Sequence, residues 1–150
     1  MAKLTFLGGI HPYDGKELSK DKPIQDILPR KELVYPLSQH IGAPAKPIVK
    51  KGDRVLTGQK IAESGGFVSA SIYASVSGVV KSIEPRRVVT GDMIMSIVLE
   101  NDELYEDVGF YPSAPLEKLS REEIIDIIRE AGIVGMGGAG FPTHVKLSPK

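Results

Sequence analysis

The sequence predicts a mainly β protein: a small barrel or sandwich over residues 47–101, followed by one helix and a glycine-rich segment. Short β-branched runs alternate with glycine-containing turns between residues 47 and 101. This pattern is typical of barrels and sandwiches rather than of βαβ units. A Gly-Asp motif recurs within that region, and a helix-capping motif begins at Ser120. With 150 residues, the chain has room for one full domain and part of a second.

The composition is that of an ordinary globular protein, with 41% hydrophobic side chains and 19 basic groups against 19 acidic ones. There is no cysteine, which excludes disulfides, thiolate zinc sites and cysteine-ligated iron–sulfur clusters within these residues. Residues 1–60 carry 11 basic and 6 acidic groups, and residues 61–150 carry 8 and 13. No basic stripe with interleaved aromatic residues is present, so nucleic-acid binding is not expected. The amino-terminal excess could equally dock an acidic partner or have no role.

No stretch of the sequence predicts a membrane span. The longest uncharged stretch, residues 64–80, contains five serines and three glycines, whereas a span needs about 20 mainly apolar residues. The uncharged run at residues 4–9 is too short for the core of a signal peptide and is stopped by His11 and Pro12. We therefore expect a cytoplasmic protein.

Residues 1–46 are predicted to form a proline-rich amino-terminal arm. Prolines stand at positions 12, 23, 29, 36 and 44. Because proline lacks an amide N–H and restricts the residue before it, long helices are disfavoured and an extended, irregular arm is expected. Two apolar segments, 4–7 and 33–35, are predicted to add edge strands.

The predicted β-domain spans residues 47–101. Its expected strands are the runs at 48–49, 55–56, 60–62, 67–74, 78–83, 88–89 and 93–99. We expect the core of this domain to bury Val49, Val55, Ile61, Val79, Ile83, Ile94 and Ile97.

An internal repeat lies within this domain. The run from Val49 to Val55 recurs 39 residues later from Val88 to Ile94, and each copy places Gly-Asp between apolar positions. Two similar β-hairpin units packed about a pseudo-twofold axis would produce this pattern, and so would a coincidence of two common turns.

An acidic linker over residues 102–119 is predicted to lead into a helix over residues 121–131. Ser120 and Glu123 form the pattern of a capping box, in which each side chain bonds the backbone of the other residue. Isoleucines follow at helical spacing, and Gly132 can take the left-handed conformation that closes a helix.

A glycine-rich segment follows the helix, with glycines at 135, 137, 138 and 140 and a lysine at 146. Glycines allow close approach of the backbone, whose N–H groups can converge on an anion beside the lysine charge. Phosphate binding is the natural inference. A Rossmann loop is disfavoured because a helix precedes the segment, and a Walker A loop is disfavoured because Phe-Pro follows Gly140. A plain glycine-rich linker stays open as the alternative.

The string from Gly135 to Lys146 resembles the flavin-binding loop of the flavoprotein subunit of respiratory complex I. Three amino-terminal motifs, at residues 8–12, 37–42 and 51–59, look like the opening of the RnfC component of the Rnf electron-transport complex. This resemblance covers residues 4–147. It implies a barrel-sandwich hybrid domain, similar to lipoyl and biotinyl carriers, followed by the start of an α/β FMN-binding domain over residues 120–150. We expect the chain to be a truncated form of a longer protein.

The resemblance also implies site residues, cofactors and partners. FMN would be held by the loop in the full-length protein and weakly or not at all by these residues alone, and iron–sulfur clusters would lie only beyond residue 150. The implied function is electron transfer between NADH and ferredoxin, within an ion-translocating complex whose other subunits hold this one at the membrane. The alternative is a docking module without a bound cofactor. No catalytic side chain is expected, and the implied FMN-binding residues are Gly135, Gly137, Gly138, Ala139, Gly140, Phe141, Thr143 and Lys146.

Two further interpretations concern lysine and histidine. Carriers attach their prosthetic group to a lysine at a hairpin tip, and the corresponding segment here, residues 61–76, contains no lysine; lipoylation and biotinylation are therefore excluded. His11, His40 and His144 have no metal-ligand spacing, so no metal site is expected. We expect His11 and His40 to hold the arm against the barrel through hydrogen bonds, and His144 to occupy a variable position of the loop.

Overall fold

Two small antiparallel sheets face each other in the computed structural model, which describes residues 8–10, 12–109 and 114–149. The larger sheet has the strand order β1-β7-β6-β3, and the smaller has the order β2-β4-β5. The expectation of a barrel-sandwich hybrid is confirmed. The strands are β1 (Glu32–Pro36), β2 (Lys46–Pro47), β3 (Arg54–Val55), β4 (Lys60–Glu63), β5 (Ile72–Tyr73), β6 (Gly78–Arg87) and β7 (Met93–Asn101).

The core lies between the two sheets. Val55, Ile61 and Ile97 are fully buried, as the sequence predicts, and Val49 and Ile83 pack against the core partly buried. The prediction that Val79 is buried is wrong, since this residue is 41% exposed. Successive side chains of a strand point to opposite faces, and in β6 it is Val80 that faces the core. The buried cluster comprises Tyr35, Leu37, Ala45, Val55, Ile61, Ala62, Ile72, Ala74, Val76, Val80, Ile97 and Leu99.

The glycines of the two Gly-Asp turns have the same φ, 93° at both Gly52 and Gly91. Their surroundings differ. The turn at Gly91 closes the β6–β7 hairpin, whereas the turn at Gly52 joins β2 to β3, which lie in different sheets. The expectation of two hairpin units is therefore wrong for the first copy. The run at 88–89, predicted as a strand, lies in the β6–β7 turn.

Part of the predicted arm belongs to the barrel. The predicted edge strand at 33–35 is present as β1, which pairs with β7 along Glu32–Pro36. Residues 16–31 are exposed and contain one 3₁₀ turn, Lys16–Leu18. The predicted strand at 4–7 and the predicted role of His11 lie outside the described residues.

Residues 102–109 of the predicted linker are hydrogen-bonded to the barrel. The Thr57 N–H donates to the Glu106 carbonyl at 2.8 Å, and the Val108 N–H donates to the Thr57 carbonyl at 3.1 Å. Asp102 accepts from the Ser77 hydroxyl at 2.6 Å and lies 3.3 Å from the Arg54 guanidinium. The Ser77 hydroxyl, with smaller contributions from the Leu104 N–H and Arg54, holds the pKa of Asp102 below its ordinary value of 3.8.

This contact predicts an acid-dependent loss of stability. A carboxyl group whose pKa is lowered by folding stabilises the fold above its unfolded pKa, and that stability is lost as the pH falls through the folded value. We expect the free energy of unfolding to fall as the pH is lowered below about 5, and Asp102→Asn to flatten this slope. Urea denaturation at several pH values measures it. The matched control is Asp26→Asn in the exposed arm, and an equal change of slope in both variants would contradict the prediction.

The carboxyl-terminal part contains helix α1 (Arg121–Glu130) and the short helix α2 (Thr143–Lys146), with a 3₁₀ turn at Leu116–Lys118 before them. Both hydrogen bonds of the predicted capping box are present between Ser120 and Glu123. Gly132 ends the helix with φ 66°. Across the described parts of the chain, the helices are all too short or too polar to cross a membrane.

Candidate functional site

The glycine-rich segment forms a loop with a closed base. The Gly135 N–H donates to the Phe141 carbonyl at 3.0 Å, and the Thr143 N–H donates to the Ile133 carbonyl at 3.0 Å. These two bonds form an isolated antiparallel bridge between Val134 and Pro142. Residues 136–141 thereby project from a fixed two-stranded base immediately before α2.

The tip of this loop is open. A Cβ atom added at Gly137 or Gly138 would meet no atom within 4 Å. Among the described residues, no hydrogen bond is made by the backbone N–H groups of 136–141. Unpartnered N–H groups on an exposed loop are available to an anionic ligand.

Lys146 lies beside the base of the loop. Its ammonium group is 5.6 Å from the centre of the Phe141 ring, within the range of a cation–π contact. A Cβ atom added at Gly135 would lie 3.9 Å from the same nitrogen. The side chain therefore places its charge over the side of the loop on which Gly135 and Phe141 face each other.

The eight residues implied by the resemblance all lie within residues 135–146, but their backbone N–H and carbonyl groups are not equally free to bind a ligand. The N–H groups of Gly135 and Thr143 and the carbonyls of Ala139 and Phe141 already have partners in the protein. The free N–H groups belong to the tip. Contact of these residues with a cofactor stays a prediction.

Two histidines that are not among the implied FMN-binding residues hold this loop to the barrel. His144 is 5% exposed, and its Nε2 lies 3.1 Å from the Phe67 carbonyl. His40 is also buried, with Nε2 3.1 Å from the Ala70 amide nitrogen. The prediction that His40 makes a hydrogen bond to the barrel is confirmed. No sequence signal marks His144, because its partner is a backbone carbonyl 77 residues away.

The segment that the resemblance matches to the attachment hairpin of carrier domains, residues 61–76, includes the connection from β4 to β5. Its connecting loop, residues 64–71, contains no lysine. Lys60, at the start of β4, is paired with Glu130 at 2.6 Å. That carboxylate raises the pKa of the Lys60 ammonium, which stays charged and is a poor nucleophile.

Titratable side chains show no arrangement that suits a metal ion in the described ranges. No group of three histidine or acidic side chains converges there. What the described site offers a ligand is backbone N–H groups and one cation.

The fold and the site together define a barrel-sandwich hybrid without an attachment lysine, leading into a helix and an open glycine-rich loop. The chain belongs to the RnfC barrel sandwich hybrid domain family, whose sequence model matches residues 4–104.

Relatives extend the similarity over the glycine loop. The chain is 47% identical over 145 residues to the C subunit of the Na(+)-translocating ferredoxin:NAD(+) oxidoreductase complex of Acetobacterium woodii, covering 96% of this chain and 33% of that protein. It is 50% identical over 147 residues to the C subunit of the proton-translocating ferredoxin:NAD(+) oxidoreductase complex of Clostridium ljungdahlii, covering 97% and 32%. The C subunit of an ion-translocating oxidoreductase complex of Vibrio cholerae is 44% identical over 144 residues, covering 95% and 19%. The chain thus spans a third or less of these curated relatives.

Proposed function

We propose that this chain is the amino-terminal part of an RnfC-type subunit that passes electrons between NADH and ferredoxin in an ion-translocating complex. Its family and the names of its relatives support this assignment. In this proposal, FMN and iron–sulfur clusters carry the electrons, and the clusters are held by residues beyond 150, since this chain has no cysteine. Other subunits of the complex hold the protein at the membrane as a peripheral component.

The glycine loop is the part of this chain proposed to contact FMN. The open N–H groups of 136–141 suit the phosphate of the flavin, and Lys146 adds a positive charge beside them. Gly137 and Gly138 leave the space that a ring system would need. When bound, FMN supplies the exchange between two-electron hydride chemistry and single-electron transfer. The protein residues bind and orient the flavin.

A charge substitution tests this assignment. In a full-length protein carrying this segment, Lys146→Ala should weaken FMN binding by about 1.5–3 kcal/mol, because one charge-assisted contact is lost. Titration of FMN into the apoprotein, followed by quenching of flavin fluorescence, measures the change. Lys118→Ala, on the exposed 3₁₀ turn, removes the same charge outside the loop and should leave the affinity unchanged.

The same titration distinguishes a flavoprotein from a docking module without a cofactor. A full-length protein that is yellow, absorbs near 450 nm and quenches added FMN supports the flavoprotein assignment. A colourless protein that captures partner subunits but does not quench FMN would support the docking module instead. We expect the 150-residue chain alone to bind FMN weakly or not at all, and binding as tight as that of the full-length protein would show that the site is complete within these residues.

A further inference from the structure

The resemblance to carrier domains matches the loop at residues 64–71 to the segment that presents their prosthetic group. In this chain the first part of the loop is open, with Phe67 70% exposed, whereas Ser69, Ala70 and Ser71 are buried. We propose that this loop is a platform that positions the glycine loop for its ligand, with His144 and His40 as positioning residues. The inference rests on the proposed flavin function. It assigns to the barrel a role in shaping the site, although none of its residues is expected to touch the cofactor.

His144 provides the anchor on the carboxyl-terminal side of the glycine loop. Its Nε2 donates to the Phe67 carbonyl at 3.1 Å, because a carbonyl oxygen can only accept. The ring also meets the Phe67 ring edge-on, with 6.2 Å between centroids. Only Val145 separates His144 from Lys146 in α2. The bond therefore fixes the short helix that carries the proposed phosphate-facing charge.

His40 provides a second anchor. It acts on the loop through the next residue in the chain, which makes the direct hydrogen bond. With Nδ1 protonated, the ring donates to the Ile41 carbonyl at 3.2 Å and accepts from the Ala70 N–H at Nε2. The Ile41 N–H in turn donates to the Ala139 carbonyl at 3.1 Å. At Gly140, an added Cβ atom would lie 2.9 Å from the Gln39 carbonyl oxygen, so the loop and this segment are in close contact.

A third anchor lies at the end of α1. The Tyr73 hydroxyl donates to the Glu130 carbonyl, and Lys60 pairs with the Glu130 side chain at 2.6 Å. An added Cβ atom at Gly132 would lie 2.5 Å from the Ser71 carbonyl oxygen. The barrel thus holds the chain before, within and after the glycine loop.

None of the three anchors uses the N–H groups at the tip. The contacts lie at 130–132, at 139–140 and at 144, whereas the free N–H groups include those of residues 136–138. A loop that is held at both ends and keeps its central N–H groups free is preorganised for binding. The cost of ordering the loop is then met during folding rather than during ligand binding.

The test compares His144→Ala with His144→Gln, because the glutamine amide can still donate to the Phe67 carbonyl. The first readout needs no flavin: hydrogen exchange of the Gly135 and Thr143 amides in the 150-residue chain, with the Ile97 amide in β7 as an internal control. We expect His144→Ala to speed exchange at the loop base about tenfold, with Ile97 unchanged and His144→Gln close to the original chain.

The second readout is the FMN dissociation constant of the full-length protein. We expect His144→Ala to raise it about tenfold and His144→Gln to restore it to within about twofold. Unchanged exchange at the loop base in His144→Ala would overturn the proposal, and so would faster exchange with an unchanged dissociation constant. A glutamine variant that exchanges as fast as the alanine variant would also overturn it. If the unmodified full-length protein fails to bind FMN, the proposed function fails, and the exchange data still decide whether His144 holds the loop.

Discussion

Replacing Gly42 with alanine should lower the free energy of unfolding by about 3–4 kcal/mol, because two penalties coincide at this position. Gly42 has φ 97°, a backbone conformation that costs an L-residue energy. An added Cβ atom would also overlap the Val68 carbonyl oxygen, which accepts the Ala43 N–H at 2.9 Å. The segment would have to move away from loop 64–71. Urea denaturation of the 150-residue chain measures the loss.

Gly52 supplies a matched control for the backbone penalty. It has nearly the same φ, 93°, and an added Cβ atom would meet nothing within 4 Å. Gly52→Ala should therefore cost only the conformational term, about 1 kcal/mol. Equal losses in the two variants would show that the close approach to Val68 contributes nothing to stability.

Gly138→Val should reduce the FMN affinity of the full-length protein at least about 100-fold, equivalent to about 2.7 kcal/mol. The valine side chain would stand among the free N–H groups of the tip and fill the space proposed for the flavin. Gly138 is not in the left-handed region, so the substitution adds no left-handed backbone strain. Because an added Cβ atom there meets nothing within 4 Å, the free energy of unfolding should stay within about 0.5 kcal/mol of the original.

Gly140→Val provides the contrast. Gly140 has φ 63°, and an added Cβ atom would lie 2.9 Å from the Gln39 carbonyl oxygen. This variant should lose both stability and flavin affinity, whereas Gly138→Val should lose affinity alone. Fluorescence titration and urea denaturation of both variants separate the effects. Undiminished flavin binding by Gly138→Val would exclude the loop tip from the site.

Local signals in the sequence predict local structure well in this protein. Helix α1 is predictable because Ser120 and Glu123 bond each other's backbone within one turn. The β1 edge strand is predictable because its apolar residues stand between prolines and polar residues. The prediction of one strand over 67–74 is wrong, since only Ile72–Tyr73 is a strand. The backbone of residues 67–70 bonds Ala43, His40 and His144 instead, and these partners are distant in sequence.

In the candidate site too, local features are predictable from the sequence and contacts between distant residues are not. A glycine-rich string followed by lysine predicts an anion-binding loop, and the structure places Lys146 beside the base of that loop. The anchoring of the loop could not be predicted, because its partners are backbone carbonyls and N–H groups that every residue type carries. The inward direction of Val80 instead of Val79 depends on the strand register with β7, which pairs Val79 with Glu100 and Val80 with Leu99.

The pairing of β1 with β7 also determines when this domain can fold during synthesis. Glu32 pairs with Glu100, so the first strand of the large sheet finds its partner only after 68 further residues have been made. At roughly 5–20 residues per second, that delay is about 3–14 s. Throughout this interval Tyr35 and Leu37 lack the β7 side of their core, which Ile97 and Leu99 supply. A ribosome that stalls before residue 100 therefore presents an unpaired β-strand and apolar side chains to chaperones and proteases.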